Sequence, residues 1–167
     1  YIASQQGHLS VVQWLVREGK ASVDMADKNG ATPLYIASQN GHLSIVQWLV
    51  REGKASVDLA EEAGATPLYI ASYYGHLSIV QWLVGEGKAS VDMADNNGAT
   101  PLCIASQQGH LSVVQWLVKE GNANVEQQLH DGTSPLAMAC HFGHLDIVKF
   151  LLSVGANPTI PRNDGCT

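Results

Sequence analysis

"TPLYIASYYGHLSIVQWLV", residues 66–84, decides the fold, because the chain writes it more than once. Residues 32–50 read "TPLYIASQNGHLSIVQWLV", and residues 100–118 read "TPLCIASQQGHLSVVQWLV". Gly-His-Leu recurs around His8, His42, His76, His110 and His144, always at a spacing of 34 residues. Thr-Pro-Leu begins at Thr32, Thr66 and Thr100, and Ser-Pro-Leu replaces it at Ser134. Residues 29–62 and 63–96 differ at only 7 of 34 positions: Asn29/Ala63, Gln39/Tyr73, Asn40/Tyr74, Arg51/Gly85, Leu59/Met93, Glu61/Asp95 and Glu62/Asn96. A fixed period of this length marks a stack of like units.

Each unit reads as two helices and a turn. Thr66 is a good N-cap and Pro67 a good first helical residue. Leu68, Ile70 and Ala71 follow in a short first helix. Gly75 closes it, since the left-handed closing conformation is easiest for glycine. A second helix begins near His76 and Gly87 ends it. Its Leu77, Ile79, Val80, Trp82, Leu83 and Val84 are too apolar for a helix with one buried stripe, so it is sandwiched. Asn97-Gly98 is a strong hairpin signal. Helices this short are marginal alone in water. Stacking on the same helix of the next unit stabilises them, at roughly 1.5–3 kcal/mol per fully buried Leu, Ile or Val. The expected class is an all-α repeat array, an α-solenoid with contacts between neighbours.

A tetratricopeptide repeat also spans 34 residues, but it carries Trp early in its first helix and a closing Pro. Here Pro opens the unit and Trp lies in the second helix. Thr32-Pro33-Leu34 with Ala37, Thr66-Pro67-Leu68 with Ala71, Thr100-Pro101-Leu102 with Ala105, and Ser134-Pro135-Leu136 with Ala139 carry a different signature. Over its full length the chain resembles the ankyrin repeat family. The resemblance implies antiparallel helix pairs joined by β-hairpin-like turns, in one domain over 1–167. Its units run approximately 1–28 (partial), 29–62, 63–96, 97–130 and 131–163, with 164–167 starting another. Two features depart from the family. The His that usually follows Thr-Pro-Leu is replaced by Tyr35, Tyr69, Cys103 and Ala137, where a Tyr hydroxyl is the natural substitute. The period exceeds the usual length by one residue, which falls in "GKASVD".

Tyr1 aligns with Tyr35 and "NDGCT" with the start of a hairpin, so both ends read as cuts through a longer array. The last unit drifts: Trp14, Trp48, Trp82 and Trp116 give way to Phe150, and Ser10, Ser44, Ser78 and Ser112 to Asp146. Natural drift and an engineered array of near-uniform modules both account for this.

Composition excludes several classes of function. Of the 167 residues, 46% are hydrophobic and 14% charged, as in an ordinary globular protein. The net charge of −6 argues against nucleic acid as the main partner. No apolar run reaches a membrane span. Cys103, Cys140 and Cys166 fit no metal or redox spacing, and read as free thiols in a reducing, intracellular (cytoplasmic) compartment. No nucleophile has a base at a workable spacing and no glycine loop cradles phosphate, so no catalytic residue and no cofactor is expected. The Gly-His-Leu histidines could form a metal row. However, helices 8–10 Å apart do not let successive histidines share one ion, so backbone bonding at the inter-helix turn is expected and no metal site. The tryptophans read as a packing ladder, and the hairpin acids as solvated turn charges.

What remains is the variation. The resemblance implies a concave partner surface built from hairpin tips and first-helix ends. Those positions are Lys28, Asn29, Gln39 and Asn40, then Glu62, Tyr73 and Tyr74. Asn96, Asn97, Gln107 and Gln108 follow, then His130, Asp131, His141 and Phe142, with Ala31, Ala63, Ala65, Ala99 and Thr133 alongside. A constant scaffold with one varied face is the pattern of a binding surface. The expected role is a non-enzymatic scaffold for a protein partner. Alternatives are a self-assembling or engineered scaffold, associating end to end, and the targeting arm of a larger enzyme.

Overall fold

The computed structural model describes residues 1–159. Among these lie ten helices and no strand. The first helices of successive pairs are α1 (Ile2–Gln5), α3 (Pro33–Gln39), α5 (Pro67–Tyr73), α7 (Pro101–Gln108) and α9 (Pro135–His141). The second helices are α2 (Leu9–Arg17), α4 (Leu43–Arg51), α6 (Leu77–Gly85), α8 (Leu111–Lys119) and α10 (Leu145–Ser153).

Local chemistry sets the helix ends. The Oγ atoms of Thr32, Thr66, Thr100 and Ser134 accept the backbone N–H three residues on, at 3.1–3.2 Å. Proline follows each cap, where a helix has no use for an N–H. Gly75 takes φ +72° after α5, as expected of a closing glycine. The second helices end differently. α6 stops at Gly85, and the left-handed residue is Lys88, φ +62°, instead of Gly87. Gly87 is needed for space: a Cβ there would lie 2.7 Å from the Leu83 carbonyl oxygen.

The core is a set of ladders. Leu34, Leu68 and Leu102 of the first helices are wholly buried, as are Leu49, Leu83 and Leu117 of the second. Ile45, Ile79 and Val113 continue the pattern, with Val46, Val80 and Val114 beside them. Both faces of an inner second helix are thus covered, as its composition demanded. Neighbouring first helices pack more closely than neighbouring second helices, so the array curves with the first helices inside.

The turns are hydrogen-bonded loops without strand ladders. In the third, Asp95 N–H donates to Ala99 O at 2.9 Å and Gly98 N–H to Asp95 O at 3.0 Å. Gly98 is left-handed while Asn97 is not, so the pair does not form a primed two-residue hairpin. Consecutive turns are stitched by one backbone bond each: Glu62 N–H to Asn29 O, Asn96 N–H to Ala63 O and His130 N–H to Asn97 O, at 2.9–3.0 Å.

The hairpin acids stay exposed or half-buried, as turn charges should, and they also hold the turns together. The Asp27 carboxylate accepts the N–H groups of Asn29 and Ala31. Glu61 does the same for Ala63 and Ala65, and Asp95 for Asn97 and Ala99. These amides hold the Asp27 carboxyl below its usual range, the Asn29 N–H most of all. A second set of acids crosses between repeats. Asp24 accepts from Ser56, Asp58 from Ser90 and Asp92 from Asn124. A tight turn leaves several N–H groups pointing inward, and a carboxylate satisfies two of them: one oxygen accepts both in Asp27 and Asp95, and each oxygen accepts one in Glu61.

Candidate binding surface

The Gly-His-Leu histidines bond backbone groups, and the group belongs to the preceding repeat. His42 Nε2 lies 3.0 Å from Gln5 O, His76 3.0 Å from Gln39 O, His110 2.8 Å from Tyr73 O and His144 2.9 Å from Gln107 O. A carbonyl only accepts, so each Nε2 carries the proton. The ring rests on the glycine that closes the same preceding helix. A Cβ at Gly75 would meet His110 Nδ1 at 2.6 Å. The histidine therefore fixes the C-terminus of each first helix, where the varied residues sit. Among the described residues no cluster of His, Cys, Asp and Glu could hold a metal ion.

Of the tyrosines that replace the family's histidine, Tyr69 acts as a substitute. Tyr69 Oη donates to Asp95 Oδ2 at 3.3 Å, reaching the next turn. Burial, and then the Asp95 charge, push its phenol well above the usual tyrosine range. Burial and Glu61 push Tyr35 up to about 12. Cys103, in the same position, reaches only the Gln127 carbonyl, at 3.5 Å.

The residues singled out from sequence fall into groups. Lys28, Asn29 and Glu62 are exposed on the first two turns, and Asn96 and Asn97 on the third. Asn96 Nδ2 is used locally, on Glu62 O at 2.9 Å. Asn40 Nδ2 donates to Ile36 O, so that side chain caps its own helix. Gln39 Nε2 donates to Tyr74 Oη at 3.3 Å. Gln108 is half-buried at the end of α7.

Tyr73 and Tyr74 are 36% and 46% exposed. Their rings meet edge to face at 4.9 Å, and Tyr74 also stacks at 6.2 Å on His76. His141 and Phe142, two periods later, form the same edge-to-face pair at 4.9 Å. The helix end thus displays an aromatic pair in two repeats and amides in the others.

Asn97, Gln107, His130 and Asp131 come together around a cavity of about 390 Å³ between the third and fourth turns. Tyr69, Asp95, Ala99 and Leu129 complete its wall. Sequence reasoning missed Tyr69 and Asp95 as lining residues. The signal was there in the Tyr that displaces the family's histidine. The Lys28, Asn29, Gln39 and Asn40 group does not reach this cavity. A larger hollow of about 860 Å³ includes Gln107, Asp131, His141 and Phe142, but also Val148 and Leu152 of α10. Val148 is half-buried where Val46, Val80 and Val114 are fully buried, so this hollow is the uncovered flank of the last described helix pair.

No described helix is long and apolar enough to cross a membrane. No curated protein matches the chain. A family model of ankyrin repeats, three copies long, matches residues 1–95 and again residues 87–162. Ankyrin repeats are in general protein–protein interaction modules and typically non-enzymatic. With helix pairs, stitched turns and family match in agreement over nearly all its length, the chain belongs to the ankyrin repeat family.

Proposed function

We propose that this array is a scaffold that binds a protein partner on its concave face. Turn tips and first-helix ends form the contact, with Tyr73 and Tyr74 as a central anchor. One observation carries the reading. Of the positions at which residues 29–62 and 63–96 differ, Asn29/Ala63, Gln39/Tyr73, Asn40/Tyr74 and Glu62/Asn96 lie there, all exposed except the half-buried Gln39, while the buried core ladders repeat. Aromatic anchors ringed by amides suit a protein interface. Cys103 and Cys140 are unbridged, which suits a reducing compartment.

The test uses the array as bait, with partners quantified by mass spectrometry, then affinity measured for the partner retained. Tyr73→Gln with Tyr74→Gln should weaken binding by about 2 kcal/mol or more, roughly thirtyfold. Stability should fall by no more than about 1 kcal/mol, the worth of one edge-to-face pair. A large loss of stability with affinity intact would make the tyrosines packing residues and remove the proposal.

End-to-end self-association is a second reading, supported by the exposed Ile2, Trp14, Leu145 and Leu152 at the two flanks. Sedimentation across a concentration range separates the two: a monomer throughout excludes self-association.

A further inference from the structure

The second helices carry a repeated contact that the concave-face reading does not use. Arg17 Cζ lies 5.5 Å from the Trp48 ring centroid, and Arg51 Cζ 5.5 Å from that of Trp82. Lys119 Nζ lies 5.5 Å from that of Phe150. Each repeat thus lays a cation over the aromatic ring of the next. At the remaining junction the cation position is Gly85, and among the described residues no cation lies over Trp116. Trp48 and Trp82 are buried, whereas Trp116 is half-buried.

Arg51 also shows what else the position needs. Its Nη2 donates to Glu86 Oε2 at 3.4 Å, so one guanidinium sits on a ring and against a carboxylate of the following repeat. One period later, Trp116 and Glu120 are the equivalents of Trp82 and Glu86. Glu120 has no ion pair among the described residues. The ring and the carboxylate are both present, and the guanidinium is missing. Nothing lies within 4 Å of where a Gly85 Cβ would project, so the approach is open.

We propose that Trp116 and Glu120 form a receptor, on the outer side of the array, for an arginine side chain of a partner protein. The chain's own Arg51 contact is the template. A planar guanidinium stacks on an indole while its fork of N–H donors meets a carboxylate. A lysine ammonium is a point charge and fits less well. An apolar side chain would leave Glu120 unused. The net charge of −6 attracts a cationic segment. This contact stands apart from the concave surface and does not depend on it.

N-acetyl-arginine amide is the probe, followed through the backbone and indole N–H resonances, with the Trp116 indole assigned by Trp116→Phe. A single half-buried ring and a surface ion pair give weak binding, on the order of tens of millimolar. Shifts should appear at the Trp116 indole, Glu120 and residues 84–88, separately from any at the exposed Trp14 indole, which also has no cation over it among the described residues. The neutral isostere, N-acetyl-citrulline amide, should produce none of them. Glu120→Gln should weaken the response about three- to fivefold. Gly85→Arg should abolish it, by filling the site from within. Four results would overturn the proposal: no shift with the arginine probe, equal shifts with citrulline, equal shifts at the Trp48 and Trp82 indoles, or a response that survives Gly85→Arg.

Discussion

Gly85→Arg should stabilise the array, and the neighbouring junctions supply the magnitude. Gly85 is the last residue of α6 and lies outside the left-handed region, so a side chain is admitted without backbone strain. Replacing glycine gains up to about 1 kcal/mol in a helix interior, and about half of that at a terminal position. A cation over a partly exposed indole adds about 0.5–1 kcal/mol. A surface pair with Glu120 adds about 0–1 kcal/mol, because water screens both groups and the arginine loses rotamer freedom. The total is about 1–2.5 kcal/mol. For a domain of this length that is a rise of about 2–10 °C in Tm. Urea and thermal unfolding measure it, with Arg51→Gly as the reverse substitution in the intact template. Arg51→Gly should lose a similar amount, since Arg51 makes both contacts at 5.5 Å and 3.4 Å. A double-mutant cycle between Gly85→Arg and Glu120→Gln isolates the ion pair. If Gly85→Arg is neutral while Arg51→Gly is also neutral, the ring-and-cation row contributes nothing and the reasoning fails.

His110→Ala should destabilise by about 0.5–1.5 kcal/mol in urea unfolding, because it removes an exposed bond to the Tyr73 carbonyl that water partly replaces; His8→Ala, at an exposed ring, should change little. Raising pH should weaken the fold. Tyr35 and Tyr69 bind their protons more tightly folded than unfolded, so their contribution is complete below about pH 10 and is lost as pH climbs through the raised folded values, about 12 for Tyr35. Tm measured across that range should fall, and fall less in Tyr35→Phe; a flat profile would refute the burial of these phenols. A thiol reagent should modify the exposed Cys140 at once in the native protein and the buried Cys103 only on unfolding, which burial also disfavours as a thiolate. Cys166 lies outside the described residues. A bridged pair in fresh protein would overturn the reducing-compartment reading.

The sequence by itself determined the period and the starts and stops of the full first helices. A Thr-Pro pair starts each full first helix because the hydroxyl caps an N–H three residues away. Gly75 stops one because the next turn needs positive φ. An all-round apolar second helix has to be sandwiched, and a fixed period supplies the sandwich. The period also identified which positions are equivalent, which exposed Tyr73 and Tyr74 as departures.

Tertiary structure decided how equivalent units sit on one another. His110 reads as a residue that satisfies backbone, but its carbonyl lies 37 residues back, in the preceding repeat. Asp58 reads as a solvated turn charge, yet it holds Ser90, 32 residues on. Tyr69 reads as a substitute for the family's histidine, and the fold adds that the bond it makes, to Asp95, walls a cavity. Arg51 and Gly85 are only a differing pair in the sequence until Trp82 is seen buried and Trp116 half-buried. A periodic sequence states that residue i and residue i + 34 share an environment. It does not state the rotation and rise from one repeat to the next, and those set which atoms come within hydrogen-bonding distance.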